Sequence, residues 1–305
     1  MMISALQILV DAISLGSLYA LATLGVGLVF GVLRLANFAY GDFITVASYA
    51  LIIPTAGATV EIVIGRWPWP FLVIAVAGVV VILSLASEYF VFRPLRTAKP
   101  AVLMVGSFAL GYIIQNIIIV VYDGRPKAVG LWPELGEAIV LSGLRMPRLE
   151  LLIIVVTLVL LGALVLFLKA SPFGVQMRAA SEDFRMARML GVRANTVIGT
   201  SLVISGFLAA VVSLLFLAQV GVMSFNMGVP LMLFAFVATV IGGMGSLTGA
   251  VVGGYIVGFA SILLQALLPE HLRTFRDAFV FVVVIVILVV RPQGLLVPRA
   301  ARERV

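Results

Sequence analysis

The sequence predicts an all-α, polytopic helical membrane protein, and three observations predict it. Mean hydropathy is +1.25. Only 11% of the 305 residues are charged, against roughly 25% in soluble domains, so the chain lacks the polar residues to cover a soluble surface. The apolar residues also fall in long runs. LLIIVVTLVLLGALVLFL, residues 151–168, holds 18 uncharged residues. As a helix that run is about 27 Å long, close to the thickness of a hydrocarbon core. A β-barrel would instead show alternation over segments of about ten residues.

Nine hydrophobic segments follow in order: about 5–31, 39–53, 70–92, 101–121, 151–168, 197–218, 231–246, 249–268 and 278–290. The first opens on MMISALQILVDAISLG, which has no basic n-region and carries Asp11; it reads as a retained membrane helix rather than a cleaved signal. The second is short, and Arg291-Pro292 ends the ninth early. Short segments tilt, insert halfway or draw on their flanks, so about 8–10 transmembrane helices are expected. They form a single transmembrane domain over 1–305, with one hydrophilic loop, 169–195, set within it.

Lysine and arginine orient the chain. One set of alternating loops holds Arg34; Arg93, Arg96 and Lys99; Lys169, Arg178, Arg185, Arg188 and Arg193; Arg291, Arg299, Arg302 and Arg304. The other holds Arg66; Arg125, Lys127, Arg145 and Arg148; Arg273 and Arg276. The richer set is cytoplasmic by this rule, which puts the N-terminus outside and the C-terminus inside. The net charge of +7 is then loop bias, and nucleic acid is not a partner. No cysteine is present, which removes disulfides, thiolate metal sites and cysteine nucleophiles. No GxxxxGK[ST] phosphate loop occurs. The single histidine, His271, lies in an outer loop and reads as a surface residue. No metal site or acid–base constellation stands out.

The loop 169–195 concentrates charge in an apolar chain. It reads as two short helices. Ser171 caps the first, with Pro172 at its first position. Ser181 caps the second, which runs about two and a half turns. Glu182 and Asp183 then sit at the positive end of the helix dipole, with Arg185 and Arg188 toward the negative end. Gly191 stops it. Ala180, Phe184, Ala187 and Leu190 share one face at helical spacing. A basic loop obeying the positive-inside rule explains the charge; a capped helix with an apolar stripe points further, to docking in a partner's groove.

This segment resembles the cytoplasmic loop by which permeases of ATP-binding-cassette importers touch their ATPases. That loop commonly begins Glu-Ala-Ala with a glycine some residues on; here Ala179-Ala180-Ser181-Glu182-Asp183 leads to Leu190-Gly191-Val192, a variant similar to the permeases for branched-chain amino acids. Three further stretches resemble that family. SLGSLYALATLGVGLVFGVLRLANFAYGDF (14–43) is similar to its N-terminal signature, with Tyr40-Gly41-Asp42 where the family often has His, Gly and an acid. IGGMGSLTGAVVGG (241–254) is similar to a second signature, and RPQGLL (291–296) to its C-terminal turn.

The other motifs have physical readings of their own. Gly245, Gly249 and Gly253 are spaced by four and Gly254 and Gly258 begin a second line; such lines let membrane helices approach closely. Residues 242–246 also read as a break between two helices on the ATPase side. Asn37, Tyr40 and Asp42 form a polar knot that is either a helix cap or a permease–permease or ATPase contact. A buried Asp42 needs a partner, for which Arg34 is one candidate. Glu88 lies near Arg93, and Asp11 near the outer end of the first helix. Gln115 and Asn116 are candidate groups on the substrate path.

The resemblance implies a non-catalytic permease subunit in a bacterial inner membrane, for branched-chain or other hydrophobic amino acids. It implies three kinds of neighbour besides the lipid bilayer: a second related permease, two ATPases that use ATP, and a periplasmic binding protein. This chain itself binds no cofactor. Urea, short amides and aromatic acids are alternative substrates within the same family. An ion-coupled secondary transporter or channel is the alternative from another class, disfavoured because Asp11, Asp42 and Glu88 all fall toward segment ends rather than the midplane.

Overall fold

The computed structural model describes residues 2–33, 37–54, 62, 64, 67–96, 98–141, 144–182, 184–243, 245–291 and 294–296. Arg34, Arg66, Asp183, Met244 and residues 297–305 lie outside the described residues. Every one of the nine apolar segments is a helix. In chain order they are α1 (Met2–Leu33), α2 (Tyr40–Tyr49), α3 (Trp69–Ser87), α5 (Pro100–Tyr122), α6 (Arg148–Ala170), α9 (Ala194–Val220), α10 (Gly228–Gly242), α11 (Leu247–Leu267) and α12 (Arg276–Val290). Between them lie α4 (Arg93–Leu95), α7 (Pro172–Glu182) and α8 (Phe184–Met189). Four short strands are also described, β1 (Lys127–Ala128), β2 (Ala138–Leu141), β3 (Leu144–Pro147) and β4 (Val222–Met223), with a π-helical turn at Glu88–Phe92 and 3-10 turns at Pro133–Gly136 and Glu270–Phe275.

Among the described residues six helices are long and apolar enough to cross a membrane: α1, α3 with its continuation to Leu95, α5, α6, α9 and α11. The other three are shorter, with 10 residues in α2, 15 in α10 and 15 in α12. Their brevity has visible causes. A turn at Ala50–Leu51 ends α2, the glycine break at 243–246 ends α10, and Arg291 closes α12. Prolines start several helices where a missing N–H costs nothing: Pro70 in α3, Pro100 in α5 and Pro172 in α7.

Contacts divide the chain into two compact units. One comprises Met1–Gly27, Trp132–Phe167 and Phe234–Val305. Within it, α11 lies directly on α1. A Cβ at Gly254 would collide with the Ala20 backbone, and one at Gly258 with that of Gly16. The second glycine line is therefore a helix–helix seam, as small-residue lines are in lipid. The Tyr255 and Ser17 hydroxyls, 3.0 Å apart, fasten this seam, and Thr157 of α6 reaches the Ser17 carbonyl at 3.3 Å. Tyr19, Phe234 and Phe281 stack in series at 5.4 and 5.3 Å. Strands β2 and β3 form an antiparallel hairpin from Ala138↔Pro147 to Leu141↔Leu144.

The other unit comprises Leu28–Leu131 and Leu168–Leu233. Helix α9 is its axis, packed by α2 and α3. Ser48 and Ser213 share a hydrogen bond of 2.6 Å, and Ser84 donates to the Leu202 carbonyl at 3.0 Å. Gly206 lets α3 approach, with Ser84 Cβ 3.3 Å from where its own Cβ would stand. Gly41 faces the Gly228 backbone, where no side chain fits. Strand β1 pairs antiparallel with β4, so the loops after α5 and α9 share one end of this unit. Arg96 meets Asn195 at 2.5 Å, so the loop before α5 and the start of α9 share the other.

Candidate coupling site and polar interior

The charged insert folds as two helices, with one boundary moved. Ser171 accepts from the Phe173 amide at 3.2 Å, the cap expected of it, and Pro172 opens α7. Ser181 is not the cap of the second helix. It lies inside α7, where its hydroxyl donates to the Arg178 carbonyl at 2.7 Å. The reason is burial: Gly174, Met177 and Ala180 recur at three-residue spacing on the inward face, and keeping Ala180 on that face holds the last turn helical. Glu182 consequently ends α7 instead of starting α8, and Asp183 lies outside the described residues. Helix α8 is six residues long and starts at Phe184, shorter than the two and a half turns expected.

The apolar stripe divides in the same way. Ala180 and Ala187 are buried, so they serve the protein's own interior and not a partner. Leu190 is 80% exposed, Met189 75% and Met186 55%. Leu190 still makes the helical bond to Met186 O; Gly191 follows at φ +88°, a left-handed conformation suited to glycine. The outward apolar cluster is thus Met186, Met189 and Leu190. The two methionines were absent from the stripe drawn on the sequence, because a longer α8 capped at Ser181 put the face elsewhere.

The turn below this cluster is stiff. Leu190 N donates to Met186 O, Gly191 N to Arg188 O and Val192 N to Ala187 O, each at 3.1 Å. The Arg193 carbonyl then accepts from Thr196 and Val197 at 3.1 and 3.2 Å, which starts α9.

The first-signature knot is interior. Asn37, Tyr40 and Asp42 are 7%, 1% and 2% exposed, so none is available as a surface contact to another subunit. Asn37 Oδ1 accepts from the Ala39 amide at 3.1 Å, turning the chain into α2. Arg34 lies outside the described residues, and the partner found for Asp42 is Gln115, whose Nε2 donates to Oδ1 at 2.8 Å. Gly111, one turn earlier on α5, has no room for a Cβ against that carboxylate. Gln115 is therefore committed to holding α2 on α5. Asn116 points the other way, to the exposed side, and donates to the Tyr112 carbonyl at 2.7 Å.

Gly245 does not continue the glycine line. It sits in the turn before α11 at φ +92° with open space around it. Gly249 and Gly253 do line a seam, against Gly242 and Ala238 of α10. The break expected at 242–246 is present. Gly243 turns at φ +107°, and Ser246 caps α11 by accepting from the Gly249 amide at 3.0 Å. The C-terminal motif returns to it: Leu295 and Leu296 donate to the Ile241 and Gly242 carbonyls at 2.8 and 3.0 Å.

Glu88 pairs with Arg96 instead of Arg93; Arg93 lies over the Tyr89 ring at 5.6 Å. His271 is exposed in the turn Glu270–Phe275. Among the described residues no three of His, Asp and Glu gather as metal ligands would.

Comparison with known proteins agrees with these features. The family model for the branched-chain amino acid transport system permease component matches residues 8–290. The high-affinity branched-chain amino acid transport system permease protein BraD of Pseudomonas aeruginosa is 31% identical, covering 95% of each chain. The permease proteins LivH of Escherichia coli and of Salmonella typhimurium are each 30% identical, again over 95% of each chain. With its match along almost the whole chain and its bundle of membrane-length helices, this protein belongs to the branched-chain amino acid transport permease family and is a multi-pass membrane permease component.

Proposed function

We propose that this permease is the non-catalytic membrane subunit of an ATP-binding-cassette importer, with branched-chain or other hydrophobic amino acids as its substrates. The whole chain acts as one transmembrane domain, and residues 169–195 are the coupling loop within it. The observation that carries this reading is the outward cluster Met186, Met189 and Leu190, displayed on a capped helix pair that runs through a hydrogen-bonded turn into α9. Such a cluster fits a groove in a soluble partner. Two ATPase subunits occupy that place, a second related permease completes the membrane part, and a periplasmic binding protein delivers the substrate. The setting is a bacterial inner membrane, with the basic loops and C-terminus in the cytoplasm and the N-terminus outside.

Glu182, Asp183, Phe184 and Gly191 belong to the same loop. Asn116, facing outward from α5, marks the substrate path. The chain supplies no nucleotide chemistry of its own; ATP is used by the partner subunits.

The test is assembly. Leu190→Asp with Met189→Asp places two charges where a desolvated apolar contact is required. Co-purification of the ATPases is expected to fall about tenfold or more, while the second permease is still retained. Unchanged ATPase recovery from the double variant contradicts the coupling role.

A further inference from the structure

Three segments of the polypeptide meet at one guanidinium. Arg96 donates through Nη2 to Glu88 Oε1 and through Nη1 to Asn195 Oδ1, the latter at 2.5 Å. Glu88 opens a π-helical turn, Glu88–Phe92, that continues α3. Asn195 is the second residue of α9. Arg96 itself closes α4 and leads through Lys99 into α5. All of these residues lie in the same compact unit. The planar fork of arginine serves two acceptors at fixed directions, which a lysine ammonium does not.

The position of Asn195 gives this junction its meaning. The turn Leu190–Arg193 is closed by backbone hydrogen bonds at both ends, so α8 and the start of α9 form one lever. Farther along, α9 is fastened to α3 through Ser84 and the Leu202 carbonyl, and Gly206 admits α3 closely. Glu88 lies one helical turn beyond Ser84, where the helix has widened. Such π-turns are places where a helix rewinds and are frequent at functional sites.

We propose that Arg96 is a positioning residue that relays displacement of the α7–α8 pair, through Asn195, to the Glu88 turn of α3 and the start of α5. This rests on the coupling role proposed above for α7–α8. The relay is a polar clamp with two arms, one on the lever and one on the membrane helix that must follow it.

A fluorescent reporter tests it on the assembled complex in proteoliposomes. The chain has no cysteine, so Phe90→Cys, at a side chain 74% exposed in the π-turn, gives a single site for a bimane label. Addition of Mg-ATP is expected to shift the emission of the labelled parent. Arg96→Ala and Asn195→Leu are each expected to abolish most of that shift, because each removes one arm of the clamp. Yield of complex and basal ATP hydrolysis stay at the parent level in Asn195→Leu, which leaves the Arg96–Glu88 pair in place. Asn195→Asp keeps an acceptor for Arg96 and is expected to retain the shift, which a merely structural role for the position would not require. An undiminished shift in Arg96→Ala and Asn195→Leu overturns the relay. So does a shift that falls only in proportion to the yield of complex. A parent that fails to assemble with ATPases contradicts the coupling role itself and removes the relay with it.

Discussion

Asp42 shows what single residues settle in this protein. A carboxylate 2% exposed needs a hydrogen-bond partner, and Gln115 supplies it from 73 positions along the chain. The need was legible in the sequence, since an acid opening an apolar segment must be paired. The partner was not, because helix spacing says nothing about which helix lies opposite. Gln115→Leu strands the acid and is expected to cost about 1–3 kcal/mol, seen as a lower melting temperature in detergent. Asp42→Asn keeps an acceptor for the same amide, and its melting temperature is expected to stay closer to the parent. At Gly254 the constraint is space. Gly254→Leu drives a side chain into the Ala20 backbone, with about 1–3 kcal/mol or more of overpacking expected, again read from thermal melting. The glycine spacing announced a seam but not its occupant, which is α1.

At the scale of elements, the nine apolar runs became nine helices because apolar stretches without the alternation of a barrel strand satisfy their backbone in lipid by coiling. Boundaries were less legible where two signals competed. Ser181 has the chemistry of a cap, yet Met177 and Ala180 beside it have the spacing of a buried face, and burial prevailed. Ser171 had no such competitor and caps as read. Ser171→Ala is therefore expected to lower the stability of the α7 start by about 0.5–2 kcal/mol, visible as faster amide exchange at Phe173, whereas Ser181→Ala leaves that amide unchanged. At the other end of the chain, Gly243 turns at φ +107° against the Leu296 backbone. No sequence rule marks which glycine in a run bears the turn. Gly243→Ala is expected to melt lower than Gly245→Ala, whose φ is also positive but whose surroundings are open.

For the whole molecule, the order of loops is the part of the sequence reading that reached furthest. The contact of Arg96 with Asn195 joins two loops that the basic residues put in the same set, while β1 pairs with β4 in a loop, 221–227, that holds no lysine or arginine. What charge counting could not reveal is how α7–α8 presents its surface, since that depends on which residues the interior claims first. The orientation is checked with single cysteines in the cysteine-free chain. A reagent that cannot cross the membrane is expected to label Glu134→Cys in intact cells, and Arg178→Cys only after permeabilisation.

In the function proposed above, this permease moves its substrate only when ATPases act on it. Uptake of radiolabelled leucine tests that most directly. The permeases and ATPases are reconstituted in proteoliposomes, with ATP enclosed and the binding protein outside. Leucine is expected to accumulate only with ATP and binding protein both present, and accumulation is expected to collapse in the Leu190→Asp, Met189→Asp variant. Equal accumulation by the permease alone, driven by an imposed ion gradient and indifferent to ATP, would contradict the account.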